Sequence, residues 1–313
     1  MNWEPSAAPS ALRERAELLR SLRVFFEQRA VLEVETPLLA SAPVTDPNID
    51  AYSLKQAELY LQTSPEYAMK RLLAAGSGPI YQICKAFRRG EQGSRHNPEF
   101  SMLEWYRPGF SFEQLISEVA ELLILVLGDR PIRRVSYGTL FKATFDLDIY
   151  RVSAGDLCSL SEQRHGIFAE LLDRDSALDL LFSHDIEPRL GLDDYCFVDN
   201  FPASQAALAK LGEDEQGNTI ARRFEVFING IELANGYDEL TDADEQAKRF
   251  ERDCELRRSR EQEVPPQDAK LLAAVSAGLP DCAGVALGLD RLLMLKVGAS
   301  SLAEVLAFPI DRV

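Results

Sequence analysis

The stretch FRRGEQGSRHNPEFSMLEWY, residues 87–106, constrains this chain more than any other. An arginine-rich turn lies between two β-type runs, and the second run ends in alternating apolar and polar residues. Successive side chains of a strand point to opposite faces, so Glu104 and Tyr106 face away from Leu103 and Trp105. Arginine offers phosphate oxygens a planar, permanently charged fork, and an acidic strand suits a cationic amine. One hairpin can therefore hold a triphosphate beside an amine. Loop arginines taken alone are ordinary solvated charge, so the reading depends on what the rest of the chain adds.

A chain of 313 residues with 46% hydrophobic content buries a large core, as one big domain or two ordinary ones. No stretch reads as a signal peptide, and the longest apolar runs, such as 122–127, are too short to cross a bilayer. These features predict a soluble cytoplasmic protein with no membrane partner. Five scattered cysteines and three histidines suggest neither a disulfide framework nor structural zinc. The net charge of −16, with 34 basic residues against 50 acidic ones, argues against a broad nucleic-acid surface. A local basic cleft at Arg88, Arg89 and Arg95 is still compatible with that charge.

Residues 1–10 are expected to be loose. Leu12, Ala16, Leu19, Leu22 and Phe26 recur at helical spacing and predict an amphipathic helix over 11–30. The alternating VLEVETPLL then meets Pro37, which belongs at a strand end or edge. Ser111 and Gln114 read as a capping box opening a helix that Gly128 ends. A charged helix is expected over about 243–260, and the pattern over 151–200 is mixed. Nothing in the sequence forces a second domain.

Asn229–Gly230 sits between β-rich runs in RRFEVFINGIELANGYDEL, residues 222–240, and signals a two-residue hairpin. Counting from that turn, Ile228 faces Ile231, Phe227 faces Glu232 and Glu225 faces Ala234, which puts Glu225 and Glu232 on one face as diagonal neighbours. Their repulsion would be relieved by a divalent cation bridging them to phosphate oxygens, as Mg²⁺ commonly does. Strict alternation turns Asn235 the other way, but a bulge at Gly236 would change that, so its direction stays open. Further on, GVALGLDRLLMLKVG, residues 284–298, runs from a small-residue strand into a helix. Arg291 falls in that helix's first turn, where the free N–H groups and dipole already favour anions.

Together these segments resemble, in order, the three signature motifs of class II aminoacyl-tRNA synthetases, closest to the catalytic domain of the lysine enzymes. EQRAVLEVETPLL resembles motif 1, FRRGEQGSRHNPEF with SMLEWY motif 2, and GVALGLDR motif 3, while TSPE at 63–66 and ELANGYDEL match the lysine subclass. The resemblance covers the chain from about residue 12 onward. It implies an α+β fold, a single catalytic domain built on an antiparallel sheet flanked by helices and paired as a homodimer through residues about 20–40. It also implies ATP and Mg²⁺ as cofactors. By similarity Arg88 holds the α-phosphate and the reacting carboxylate, His96 and Arg291 contact the terminal phosphates, and Phe100 stacks on adenine. Arg89 and Asn97 lie among these ATP contacts, with Leu233 and Gly288 lining the nucleotide site. Glu225 and Glu232 carry the metal, Glu232 also belonging to the ATP set. Ser64, Pro65, Glu66, Glu104, Tyr106, Asn235 and Glu239 surround the amino-acid substrate. Arg88 and Arg291 are the catalytic pair, acting by positioning and charge neutralisation in acyl-adenylate formation.

The departures from the synthetase pattern also carry information. The motifs start almost at Met1, leaving no room for an anticodon-binding barrel, so tRNA is an unlikely partner. The chain in this respect resembles truncated lysyl-tRNA synthetase paralogues that attach (R)-β-lysine to a lysine side chain of elongation factor P. HNPEFSMLEWYRPGF and FPASQAALA support that likeness. Ala234 and Ala286 stand where the synthetases commonly have glycine, and each added methyl reshapes the amino-acid pocket against α-lysine. The usual FRxE reads Phe87–Arg88–Arg89–Gly90–Glu91, so adenine is read either by Glu91 or by backbone at Gly90. Ala30 replaces a common glycine at the exit of the motif 1 helix. The expected function is ATP-dependent β-lysylation of elongation factor P. The alternatives are a stand-alone lysyl-tRNA synthetase-like enzyme and a non-catalytic regulatory subunit binding ATP or amino acid.

Overall fold

Helix α1 (Pro9–Glu27) forms because its apolar positions make one stripe, but the stripe differs from the expected one. Leu22 and Phe26 are buried with Ala11, Leu18 and Phe25, whereas Leu12 and Ala16 face solvent. At roughly 1.5–3 kcal/mol per buried large side chain, packing outweighs the few tenths per residue that separate helix propensities. The computed structural model describes residues 3–313. Ser6 and Ala7 donate backbone hydrogen bonds to the carbonyls of Ala307 and Leu306, and Ala7 is buried, so the predicted loose start is tied down from Ser6 onward. Met1 and Asn2 lie outside the described residues.

After α1 come strand β1 (Leu32–Glu33), the short strands β2 (Leu39–Ala40), β3 (Ser53–Leu54) and β4 (Leu59–Leu61), and helix α2 (Glu66–Ala74). The hairpin β5 (Ile80–Phe87) and β6 (Glu99–Pro108) follows, then helix α3 (Phe112–Leu127). The capping box of α3 is formed as expected, with Gln114 N–H donating to Ser111 Oγ at 3.2 Å and Ser111 N–H to Gln114 Oε1 at 2.8 Å.

The middle of the chain holds β7 (Ile132–Ser136), α4 (Tyr137–Phe145), α5 (Ala154–His165), α6 (Arg174–Leu181), β8 (Tyr195–Pro202), β9 (Leu211–Glu213), β10 (Thr219–Ile228) and β11 (Ile231–Asp238). The chain ends with the charged helix α7 (Ala243–Ser259), α8 (Ala269–Gly278), β12 (Cys282–Gly288) and α9 (Leu289–Val297). Among the described residues no helix is long and apolar enough to cross a membrane.

Where the sequence shows no boundary, the contacts fall into two compact units, one reaching Gly128 and resuming over Glu239–Val313, the other Asp129–Asp238. In the first, the strand order is β1-β5-β6-β12, antiparallel except where β1 runs parallel to β5, and β2-β4-β3 form a small antiparallel sheet. Phe26 of α1 stacks on Tyr81 of β5 at 4.3 Å and meets Trp105 of β6 edge-on at 5.4 Å. In the second unit the order is β11-β10-β8-β7 with β9 on β10, and β7 runs parallel to β8. Its core is aromatic, with Tyr137 stacked on Phe141 and Phe182.

The β10–β11 turn carries Asn229 at φ 53° and Gly230 at φ 65°, the two positive values a type I′ turn needs. Beyond the turn the register differs from the simple count. Phe227 faces Glu232 as expected, but Val226 faces Ala234 and Glu225 faces Asn235, because Leu233 is an extra residue on β11. The bulge is at Leu233 rather than at Gly236, and it turns Asn235 toward Glu225.

Ala30 follows α1 at φ 52°, a left-handed conformation that costs a residue with a Cβ about 1 kcal/mol. Ala30→Gly should therefore raise the thermal midpoint, by an amount corresponding to at most about 1 kcal/mol once the looser unfolded chain is counted. Calorimetry checks this, and a lowered midpoint would mean the helix exit is not strained.

Candidate functional site

Strand β6 carries two chemistries on its two faces. Leu103 and Trp105 pack into the core, with Trp105 Nε1 donating to the buried carboxylate of Glu118 at 3.0 Å. On the opposite face Glu104 and Tyr106 are equally buried. The Tyr106 hydroxyl donates to Glu104 Oε1 at 2.6 Å and the Ser64 hydroxyl to Glu104 Oε2 at 2.8 Å. Ser64 Oγ also accepts the backbone N–H of Glu66 at 3.1 Å, which holds Glu66 in the first turn of α2, just after Pro65. Glu239 completes the group, its backbone N–H donating to Cys282 O on β12 at 3.0 Å.

A residue the sequence reading missed lies at the centre of this group. Lys70, one turn beyond Glu66 on α2, is 1% exposed, and its Nζ lies 2.6 Å from Glu66 Oε1 and 2.6 Å from Glu239 Oε2. The only sequence signal was a Glu–Lys pair at i, i+4, which is commonplace on helix surfaces. Gly284 and Ala286 of β12 face Tyr106 and Glu104 in the register. A Cβ on Gly284 would come within 2.4 Å of the Tyr106 ring and 2.5 Å of Glu239 Oε1, so the small-residue strand lets these two side chains reach the backbone.

Burial raises the carboxylates here. Burial and the field of Glu66 push Glu104 up to about 7, against the opposing hydrogen bonds of Tyr106 and Ser64. Burial pushes Glu239 up to about 8, opposed by Lys70 and helped by Glu66. Burial works against the Lys70 ammonium, but Glu239 and Glu66 outweigh it and hold its pKa above the ordinary lysine value.

Arg88, Gly90, Glu91 and His96 lie in the β5–β6 turn of the same unit. The Arg88 guanidinium lies 5.2 Å from the Phe100 ring centroid and 3.7 Å from Glu91, and its backbone N–H donates to Pro98 O. Gly90 occupies the turn between Arg88 and Glu91 at φ 86°. Arg291, in the first turn of α9 after Gly288, lies 2.6 Å from His96 Nε2 and donates to Arg95 O at 3.2 Å. Asp290 fixes that helix start, accepting the Ser101 N–H at 2.7 Å and Arg15 Nη2 from α1 at 2.5 Å.

Two residues expected among the ATP contacts also bond within the chain. Arg89 pairs with Asp50 at 3.2 Å. The side chain of Asn97 accepts the Ile310 N–H at 3.0 Å and donates to Glu99 O at 2.6 Å.

In the second unit Glu225, Asn235 and the unforeseen Arg223 form one group. Arg223 donates to Glu225 and, at 3.2 Å, to Asn235 Oδ1. Burial, with Glu232 adding to it and Arg223 opposing, pushes Glu225 up to about 8. Asn235, expected among the substrate contacts, donates to Glu225 Oε1 at 3.5 Å. Leu233 and Ala234 are buried beside it. Among the described residues no group of three or more His, Cys, Asp or Glu gathers as a metal site.

The chain is similar to known proteins over almost its whole length. A family model described as tRNA synthetases class II (D, K and N) matches residues 2–312. A protein of Pseudoalteromonas translucida (strain TAC 125), named elongation factor P–(R)-β-lysine ligase, is 48% identical over 99% of this chain and 98% of its own length. Proteins of the same name from Pectobacterium carotovorum subsp. carotovorum (strain PC1) and Salmonella dublin are 46% identical with the same coverage.

Raised carboxyls hold protons longer in the folded chain than in the unfolded one. Glu104 and Glu239 therefore favour folding fully below the ordinary value of 4.5, and that contribution is lost as pH rises through about 7 to 8. A bound diamine favours their ionised forms, so its binding near pH 7 should release protons. Titration calorimetry in buffers of different ionisation enthalpy is expected to show that release, and Glu104→Gln to reduce it. Binding with no proton exchange would mean both acids are already ionised.

Proposed function

The chain belongs to the class II tRNA synthetase family, and from that premise we propose that it is an ATP-dependent ligase for elongation factor P. It activates (R)-β-lysine as an acyl-adenylate and transfers the acyl group to a lysine side chain of that factor. The observation that carries the reading is near full-length similarity, at 46–48% identity, to proteins named for this reaction. The buried carboxylates of Glu104 and Glu239, with the partly buried one of Glu66, support a substrate with two positive nitrogens. Ala286, opposite Glu104 in the register, supports discrimination between lysine isomers, a methyl being worth about 1–3 kcal/mol.

In this reading Arg88 and Arg291 are the catalytic pair. Arg88 orients the carboxylate against the α-phosphate while Phe100 holds adenine, and Arg291 with His96 neutralises the outgoing pyrophosphate. Glu91 or the backbone at Gly90 reads adenine, and Gly288 and Leu233 line the nucleotide site. Glu225 and Glu232 would hold Mg²⁺, which supplies positive charge to the phosphates. Two carboxylates plus phosphate oxygens form an ordinary magnesium donor set. Arg223 provides the positive charge beside Glu225 in this structure.

The exposed apolar side chains Val24, Leu32, Leu38 and Leu39 support a homodimer through residues about 20–40. Five free thiols suit the reducing cytoplasm. The net charge of −16 disfavours tRNA as acceptor.

Incubation with ATP, Mg²⁺ and either α-lysine or (R)-β-lysine, followed by mass spectrometry of elongation factor P and tRNA, tests the proposal. The factor should gain one β-lysyl group. Transfer to tRNA alone would replace this function with that of a synthetase. Glu232→Gln should lower pyrophosphate exchange at least about a hundredfold with the oligomeric state unchanged, and unaltered turnover would remove Glu232 from the site.

A further inference from the structure

One resident ammonium set against three carboxylates is the most informative feature of the amino-acid pocket. Glu66, Glu104 and Glu239 are all largely withdrawn from water, and uncompensated buried charge is strongly unfavourable. Lys70 bridges Glu66 and Glu239 at 2.6 Å each, from a side chain only 2% exposed. Glu104 is different, because the side-chain hydrogen bonds it accepts come from neutral hydroxyls, those of Ser64 and Tyr106. Among the described residues it is the one of the three acids that forms no ion pair. Room therefore remains for two further positive charges before the buried group is neutral.

We infer that Lys70 is a specificity-determining residue, a fixed internal counter-ion that sets the charge of the acceptable substrate at two and leaves Glu104 to receive a substrate ammonium. The inference rests on the amino-acid pocket proposed above. Helix geometry makes Lys70 a fixture: its Cα lies one turn from that of Glu66, and Met69 and Leu73 bury the same helix against the core. The groups facing the ammonium are Glu66 from α2, Glu239 from the segment before α7, and Glu104 from β6, whose carboxylate in turn holds the Tyr106 hydroxyl. A substrate with one amine leaves a carboxylate unmatched. A diamine neutralises the group without moving Lys70.

The test compares the full-length wild type with Lys70→Met and Lys70→Arg, measuring amino-acid binding across pH 6–9 and ATP binding alongside. In Lys70→Met, three acids face two substrate charges, so one acid must keep a proton. Diamine affinity should then fall at least about tenfold at pH 8.5 relative to wild type and recover toward pH 6, with ATP binding unchanged. Lys70→Arg should restore the wild-type pH profile.

A uniform loss at every pH, or loss of ATP binding as well, would reduce Lys70 to a structural role. An unchanged profile would also overturn the inference. If the wild type itself does not prefer diamines to monoamines, the pocket reading fails, and Lys70 with it. If Lys70→Met does not fold, ¹⁵N NMR of the wild-type lysine ammonium decides. A protected Nζ signal that persists in the complex supports the fixture, and its loss on substrate binding overturns it.

Discussion

Lys70, Glu104 and Glu239 are buried together with the partly buried Glu66, and much of the first unit is arranged to make that tolerable. Ion pairs taken out of water gain stability only when geometry and extra hydrogen bonds compensate for lost hydration. Lys70 meets two carboxylates, and two hydroxyls meet the third. Each of these partners imposes something on the fold. Ser64 must sit just before α2, accepting the Glu66 N–H, to reach Glu104, and β12 must present a glycine at 284 so that Tyr106 and Glu239 have room. Hydrophobic residues of the same volume would have been easier to bury, which is why such a group points to recognition rather than to stability.

The other face of β6 shows the contrast. There Trp105, Leu103, Phe26 and Tyr81 pack as an ordinary core, with the Glu118 carboxylate held by Trp105 and near Arg107 and Arg29. Asp290 joins the parts of this unit. Its two oxygens bind Arg15 of α1 and the backbone of Ser101 next to Phe100, and so fix the helix turn that carries Arg291. The turn that carries Arg291 is thus tied both to α1 and to β6. A similar economy governs the loop at 45–50, where the buried Arg257 binds the carbonyls of Thr45, Asp46 and Ile49 and lies 3.4 Å from Asp50, the residue that pairs with Arg89.

The second unit repeats the principle of a resident cation, with Arg223 beside Glu225 as Lys70 stands beside Glu239. In both places an acid that looks available in the sequence is already partnered in the folded chain. A charge inventory by residue type therefore overstates how many groups stand open to a ligand. Glu104, held by hydroxyls, differs from Glu66 and Glu239 for that reason.

The local rules were legible in the chain. The Ser111–Gln114 box, the Asn229–Gly230 turn, the two faces of β6 and the charged helix α7 all follow from short-range chemistry that acts within a few residues. The motif order also carried the family, because the three motifs lie in separate segments whose spacing chance does not reproduce. What stayed hidden depends on partners far apart in sequence. The buried stripe of α1, the bulge at Leu233, the ties of Ser6 and Ala7 to the C-terminal segment, and the placement of Lys70 between Glu66 and Glu239 are decided by packing across tens to hundreds of residues. Sequence determined which side chains were present and the turns, caps and strand alternation they form locally. Tertiary structure alone decided which of them lost their water, and it is loss of water that turns a glutamate or a lysine from surface charge into a group with a defined partner.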